Sequence, residues 1–447
     1  MENKIIVPKN VGDILKIFAK NNFQIYIVGG AVRNLLLKKS VHNWDFTTNA
    51  TPDQIQALFP ESFYHNQYGT VTIKTTPPFE ITPFRTESNY RDTRHPSKII
   101  WAHTIEEDLI RRDFTINAIA FDGHTIIDPH DGIHDLKRKI VRAVGDPNIR
   151  FTEDALRLMR AIRIATELQC VLEEKTQQSI MRNAHLLKNI SRERVRDELF
   201  KILKSASPAE GIMSLKNTGL LPFIIPKLHH AFDIPQKSPK RHHIYDVGTH
   251  SVKSLEACVS NDVIVRLATL LHDIGKVETF RKDPKTSLIT FFNHEIRGAQ
   301  IVKKIADDLR LSAKEKEKLY ILVRYHQFTV SELQTDRAIR RFIREIGTKN
   351  LEDMLIVRNA DRIGSGAQPT SWRYELFKKR LIEVQKQPFA IKDLKIDGND
   401  VMKILKINPS PQVGEILRQI FDDVVEKKIN NDKTALLKRI AHIQRNE

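Results

Sequence analysis

The sequence predicts an α+β chain, with a mixed-sheet head followed by a mostly α-helical remainder. Residues Ile25, Tyr26, Ile27 and Val28 are β-branched or aromatic and read as a strand, broken by Gly29-Gly30 and followed by the helix AVRNLLL. From about residue 151 onward the apolar residues fall at helical rather than alternating spacing, beginning with RFTEDALRLMRAIRIATEL. The length of 447 residues allows two to four domains with their own cores.

The composition narrows the partners. Hydrophobic content of 40% with 28% charged residues describes a globular chain, and a net charge of +17 favours a polyanion, nucleic acid before an anionic membrane. The longest apolar runs fall short of a membrane span, and MENKIIVPKN lacks the apolar core of a signal peptide. Cys170 and Cys258 form neither a disulfide framework nor a zinc-ligand pattern. The cytoplasm is the expected location.

Taken in order, VGDILKIFAKNNF is an amphipathic helix leading into the strand at Ile25. The Gly pair at a helix start leaves backbone N–H groups where a phosphate can sit, and Arg33 adds a fixed positive charge beside them. The next strand is expected to carry Asn43-Trp44-Asp45, so that Asn43 and Asp45 project from one face. Acidic groups at that spacing beside a phosphate cradle suit metal-assisted phosphoryl transfer. TPDQIQALFP reads as a Thr-capped helix with Pro at its first position, and GTVTIKTTPPFEITPFR as two strands. Glu80, on the second of these, is either a further metal ligand or a solvated strand charge. Residues 86–100 are polar and basic and read as a mobile loop. EEDLIRRDFTINAIAFD ends in an apolar strand, and DPHDGIHDLKRKIVRAVGDP is expected to supply short strands and turns.

In the order strand, Gly-Gly, Arg-bearing helix, acidic strand, the chain resembles the nucleotidyltransferase superfamily, in particular the bacterial CCA-adding enzymes and poly(A) polymerases of class II. Their usual pattern is GGxVRDLLL followed by DxD; this chain carries Asn34 and Asn43 where the family has Asp. RRDFTINA resembles the family's ribose-binding motif. The resemblance implies that Asp113 and Asn117 face the sugar, that Gly29, Gly30, Arg33 and Arg111 hold the triphosphate, and that Asp45 and Asn43 are the catalytic metal ligands for Mg²⁺. The 86–100 segment corresponds to a loop that, in the family, helps switch from CTP to ATP addition.

On the helix that follows, Ala155, Leu158, Met159 and Ile162 cover one side, while Arg157, Arg160 and Arg163 sweep the other with Asp154 at its edge and little compensating acid. Such a face is usually a solvated charged stripe. Here it resembles the family's EDxxRxxR motif, which selects the incoming base. Cytosine and adenine each present an exocyclic amino donor beside a ring-nitrogen acceptor, and guanine and uracil present the reverse order. Asp154 beside Arg157 complements the first pair and opposes the second. Each wrong base would leave buried groups unpaired at ~1–3 kcal/mol apiece.

Residues 172 to about 235 are helical, with breaks at Pro222 and Pro226. Beyond them, His250, His272-Asp273 and Asp361 fall in the H…HD…D order of HD-domain phosphohydrolases, with His294 and His326 as further ligand candidates. This order implies a divalent, transition-type metal that activates water. SPQVGEIL, near the end, reads as a Ser-capped helix start.

The resemblance covers nearly the whole chain: a head over residues 1–140, a helical neck and body over 141–238, an HD domain over 239–365 and a tRNA-binding helical tail over 366–447. It implies template-independent addition of C and A to the 3′ end of tRNA from CTP and ATP, with neither membrane nor DNA as partner. Three alternatives stand beside it: a poly(A) polymerase, an HD-type metal-dependent phosphohydrolase on RNA ends, and a relative catalytically impaired by Asn43.

Overall fold

The computed structural model describes residues 5–65, 69–76, 78–90, 96–236, 245–385, 391–426 and 428–443. The chain divides into two compact units, one of Met1–Asp233 with Ile305–Leu311 and the other of Ile234–Lys304 with Ser312–Glu447.

The first unit opens with helix α1 (Lys9–Lys20), whose Val11, Ile14, Leu15 and Phe18 are buried at the spacing of one helix face. Strands β1 (Ile25–Val28), β2 (Asp45–Thr48), β3 (Ser62–His65), β4 (Thr70–Ile73), β5 (Phe79–Pro83), β8 (Ala120–Phe121) and β9 (Ile126–Ile127) form one mixed sheet in the order β3-β4-β5-β2-β1-β8-β9. Strand β1 runs antiparallel to β2 with Val28 opposite Asp45, while β2 and β5 are parallel with Asp45 beside Glu80. This register brings the end of β1, the start of β2 and Glu80 together at one end of the three central strands.

Helices α2 (Gly30–Leu36) and α3 (Pro52–Leu58) pack with α1 against a core of Ile27, Val32, Phe46, Ile55, Phe79 and Ile81. The Phe46 and Phe79 rings meet edge-on at 5.6 Å. Helix α3 starts with the expected capping box, in which Thr51 accepts from the Gln54 N–H and Gln54 from the Thr51 N–H.

Four expectations are corrected. Strand β2 begins at Asp45, so Asn43 and Trp44 form its lead-in. The alternation persists all the same, because buried Trp44 lies between exposed Asn43 and Asp45. Residues 86–100 are not a loop: β6 (Arg85–Tyr90) and β7 (Pro96–Trp101) pair as an antiparallel hairpin, although residues 91–95 lie outside the described residues. Trp101 packs so closely on the glycine before β4 that a Cβ at Gly69 would lie 2.3 Å from its ring. Residues 128–147 contain a helix, Gly132–Lys137, as well as turns, because Asp128 accepts from the Gly132 and Ile133 N–H groups. Ser410 precedes the helix Pro411–Val425 without a side-chain cap; Pro411 at the first position removes one of the donors it would have satisfied.

The second unit is helical. Helices Val247–Glu256, Val263–Leu271, Ala313–Tyr325 and Leu351–Gly364 gather around buried residues such as Leu267, Leu271, Leu322 and Val357. Gly364 permits the close crossing of the first and last of these, since a Cβ there would lie 2.3 Å from the Ser254 hydroxyl. Helices Gly398–Leu405, Pro411–Val425 and Lys433–Ile443 close on their own small core of Val401, Ile420, Leu436 and Ile440. No helix among the described residues is long and apolar enough to cross a membrane.

Candidate active site

Gly29 joins β1 to α2 with φ +69°, in the left-handed region that a side chain rarely adopts. A Cβ there would lie 3.1 Å from an Arg112 Nη and 3.9 Å from a carboxylate oxygen of Asp45, so its absence leaves open the space between a guanidinium and a carboxylate. Asp45 is exposed at the start of β2, yet the protein crowded around it raises its carboxyl pKa, and Arg112 and Arg160 oppose that rise. Glu80 is its exposed neighbour on β5, on the same sheet face. Two carboxylates side by side with an amide oxygen upstream form an all-oxygen donor set, the chemistry a hard cation such as Mg²⁺ prefers.

Of the two adjacent arginines, Arg112, and not the Arg111 expected to hold the triphosphate, borders the open space at Gly29. Arg111 caps helix α4 (Ile105–Ile110) and turns to Asp108 (2.7 Å) and to the Arg85 carbonyl (3.0 Å). Arg112 lies beside Gly29 and Asp45, held by a 3.0 Å bond from its Nη2 to Asp108. Asp108 is fully buried; burial works against its charge, but the two guanidiniums outweigh it and lower its pKa. The signal available in the sequence was the end of a helix at Ile110, after which consecutive residues point in different directions.

A chain of hydrogen bonds runs from α2 into the next helices. Arg33 donates to Asn117 (2.6 Å) and to Asn34 (3.1 Å), Asn117 donates to Asp113 (3.0 Å), and Arg160 donates to Asp113 (2.6 Å). Asp113 also accepts from the Phe114 N–H, which fills the lone-pair positions of its carboxylate. A ribose hydroxyl therefore reaches Asp113 only by displacing one of these donors. Burial, followed by the neighbouring Arg163, lowers the Arg33 pKa.

The arginine stripe is not short of acid. Arg157 pairs with Glu153 (2.6 Å), Arg160 with Asp113, and Arg163 with both Glu198 (2.6 Å) and Glu167 (2.8 Å). Two of these acids lie far away in sequence, which is why the helix alone looked uncompensated. Nor are the side chains of Asp154 and Arg157 paired, although the Arg157 N–H donates to the Asp154 carbonyl at 3.0 Å. Asp154 sits in extended backbone between the helices Pro147–Glu153 and Leu156–Leu168, so the 100° rule does not carry across it. Its carboxylate caps the Leu156 N–H and pairs with Arg194 at 2.9 Å, while Arg157 is buried and donates to the Arg111 carbonyl.

A second cluster occupies the other unit. His250, His272, Asp273, His294 and His326 are buried together with Asp361 at their margin. Asp273 is shared: one oxygen faces His250 and His272, each at 3.4 Å, and the other faces His294 (3.3 Å) and His326 (3.6 Å). Asp361 lies 3.2 Å from His250 and 3.6 Å from His272.

The Nδ1 atoms of His272, His294 and His326 each meet a backbone carbonyl three residues back, at 2.7–2.9 Å. A carbonyl only accepts, so Nδ1 carries the proton and Nε2 turns its lone pair toward Asp273. Lone pairs facing carboxylate oxygens call for a cation between them. Among the described residues the only two groups of His and Asp side chains converging tightly enough for a metal lie here and share Asp273. Lys276, which follows the His-Asp pair in sequence, lies 2.6 Å from Asp273 and is braced by Gln236 at 2.7 Å. Gly275 is obligatory: a Cβ would lie 2.0 Å from the His294 carbonyl oxygen.

With this geometry in view, the relatives can be compared. Residues 25–142 match the poly A polymerase head domain, residues 171–232 the RNA and SrmB-binding site of polymerase A, and residues 280–440 the tRNA nucleotidyltransferase domain 2. The CCA-adding enzyme of Lactobacillus delbrueckii subsp. bulgaricus is 33% identical over 431 residues, 96% of each chain. The chain belongs to the CCA-adding enzyme family. It is a nucleotidyltransferase, as the family resemblance of its head implied. Another member of the wider group, the A-adding tRNA nucleotidyltransferase of Deinococcus radiodurans, is 37% identical over 71% of this chain and 75% of its own. The crystal structure of the Bacillus stearothermophilus CCA-adding enzyme in complex with CTP superposes with a TM-score of 0.70 at 26% identity, covering 98% of this chain and 99% of that one.

Proposed function

We propose that the chain adds C and A to the 3′ end of tRNA, taking CTP and ATP without a nucleic-acid template, in the cytoplasm. The observation that carries this reading is the end of the central head strands, where Asp45 and Glu80 stand side by side next to the open space at Gly29. The oxygen of the RNA 3′-hydroxyl bonds to the α-phosphorus, the bond to the β-phosphate oxygen breaks, pyrophosphate leaves and the hydroxyl proton passes to water. Gly29, Gly30, Arg33 and Arg112 receive the triphosphate, with Arg111 holding Asp108 and hence Arg112 in place. Asp113, on giving up one of its present donors, would face the ribose with Asn117 beside it; Asp154, Arg160 and Arg163 would read the base or its phosphates, with Arg157 bracing them from its buried place beside Glu153. Asp45, with Glu80 and the Asn43 amide, would hold Mg²⁺, which supplies charge neutralisation and activation of the hydroxyl. Incubation of the protein with tRNA lacking CCA and each labelled nucleotide tests the reading; incorporation of A alone, or of long A tracts, would replace it with an A-adding enzyme or a poly(A) polymerase.

The division of labour along the chain is part of the proposal: nucleotide chemistry in residues 1–140, RNA and nucleotide contacts in 141–238, the HD unit in 239–365 and tRNA binding in 366–447. Three lysines (Lys392, Lys395 and Lys433) and two acids (Asp397 and Asp400) line a tail cavity of about 640 Å³, and the net charge of +17 over the chain is what supports a phosphate backbone as partner.

A second reading is favoured by the buried His and Asp cluster. His250, His272, Asp273, His294, His326 and Asp361 would hold a divalent transition metal, for which a nitrogen-rich donor set is suited. Such a metal supplies an activated water for phosphoester hydrolysis. Lys276 anchors Asp273 in its ionised form there.

A further inference from the structure

The cavity above the His and Asp cluster has about 560 Å³, a volume typical of a small-molecule site and far larger than a phosphate group needs. Its lining includes three carboxylates (Asp273, Glu295 and Asp361) and three cations (Lys276, Arg358 and Arg362). Equal numbers mean that any divalent cation bound at the cluster turns the cavity net positive, so its occupant is an anion. Arg358 and Arg362 sit one helical turn apart on Leu351–Gly364, and the buried Nε of Arg362 meets no acceptor among the described residues.

Two adjacent phenylalanines line the same cavity and behave oppositely. Phe291 is buried, its ring tilted against that of Phe280 with the Lys276 ammonium 5.2 Å from the ring centroid. Phe292 is 77% exposed in the turn that leads into His294. Singly exposed apolar residues are common on protein surfaces. This one differs because it shares a cavity with three cations and with Asp273, His294 and His326 of the cluster. An anion with a flat apolar part would engage both features at once, and a base-bearing phosphate has that shape.

We propose that Phe292 is the specificity-determining side chain of this second site, a platform on which the base of a nucleotide stacks while its phosphate is drawn to Arg358, Arg362 and the cluster. The inference rests on the reading of the cluster as a metal-dependent phosphohydrolase, but its test does not depend on turnover. 4-Fluorophenylalanine placed at position 292 reports the ring directly by ¹⁹F NMR. Titration with AMP should give a saturable upfield shift, and ribose 5-phosphate should give none. A short RNA ending in a phosphate distinguishes the end of a chain from a free nucleotide as the source. Identical responses to AMP and ribose 5-phosphate, or no response to AMP or to the RNA, would overturn the proposal.

With a divalent transition metal added, Phe292→Ala should lower the ratio of kcat/KM for AMP to that for ribose 5-phosphate by roughly 5- to 150-fold, the span of base stacking on an aromatic ring, and Phe292→Tyr should restore it. An unchanged ratio overturns the proposal. Hydrolysis of neither compound under any divalent metal removes the phosphohydrolase reading instead, and the fluorine titration then still decides whether Phe292 receives a base.

Discussion

Arg160 donates two hydrogen bonds to a single carboxylate oxygen of Asp113, at 2.9 Å from Nε and 2.6 Å from Nη2. Burial opposes the charge on Asp113, but Arg160 and the Asn117 amide outweigh it and hold its pKa well below the usual carboxylate range. The unfolded chain then binds more protons than the folded one as pH falls below about 4. This contribution to stability is complete above pH 4 and is lost as pH falls toward the native pKa. Asp113→Asn should therefore cost about 1–3 kcal/mol in urea unfolding at pH 7, less than a fully buried pair, because the Arg160 side chain is 37% exposed. The difference from the parent protein should shrink at pH 3.

In the proposed metal site Asn43 would supply an amide oxygen in place of a carboxylate, which would leave the donor set one negative charge short. Asn43→Asp should raise CMP and AMP incorporation by tenfold or more, on the order of 1.4 kcal/mol of barrier, with little change in nucleotide affinity. Equal turnover of the two forms would show that position 43 is not a metal ligand.

Arg112 opposes the upward shift of the Asp45 carboxyl. Removing it should raise that pKa further, leaving Asp45 protonated up to a higher pH, so the acid limb of the Arg112→Ala rate profile should move to higher pH. Arg111→Ala, which reaches Arg112 only through Asp108, should move that limb less than Arg112→Ala does and lower stability, measured by thermal unfolding.

Asp154 is tied to Arg194, so if Asp154 reads the base as proposed, Arg194 acts on base choice through it. Asp154→Ala should relax discrimination against UTP and GTP while lowering use of CTP and ATP. Arg194→Ala should change it in the same direction by a smaller factor. Single-nucleotide incorporation with each of the four triphosphates measures both, and an unchanged preference in Asp154→Ala would remove Asp154 from the base site.

His272→Ala should abolish metal-dependent phosphoester hydrolysis and leave nucleotide addition nearly intact, and a transition-metal chelator should act on the first activity ahead of the second. Parallel loss of both activities in a folded variant would argue for one site rather than two.

Much of the head was legible because its signals are local. The Gly29-Gly30 break, the Thr51 capping box and the alternation around Trp44 each depend on residues a few positions apart. The convergence of the His and Asp residues of the second cluster was legible for a different reason: their H…HD…D order along the chain is a family resemblance and needs no local periodicity. What escaped were pairings set by tertiary contact. The acids that compensate Arg160 and Arg163 come from 47 and 35 residues away, and Asp154 faces Arg194 across 40 residues. The hairpin over 85–101 escaped because its polar, basic strands lack the apolar alternation that marks a half-buried strand.

Gly275 has no room for even one methyl group against the His294 carbonyl, so the second centre has a point of failure that is not a ligand. A relative could keep all six His and Asp residues and still have a silent centre, if alanine replaced this glycine and pushed the turn that carries His294 out of line. Ancestry inferred from the ligands alone would miss such a loss. In tracing when HD units of this kind gained or lost chemistry, the residue to follow is the one with no side chain.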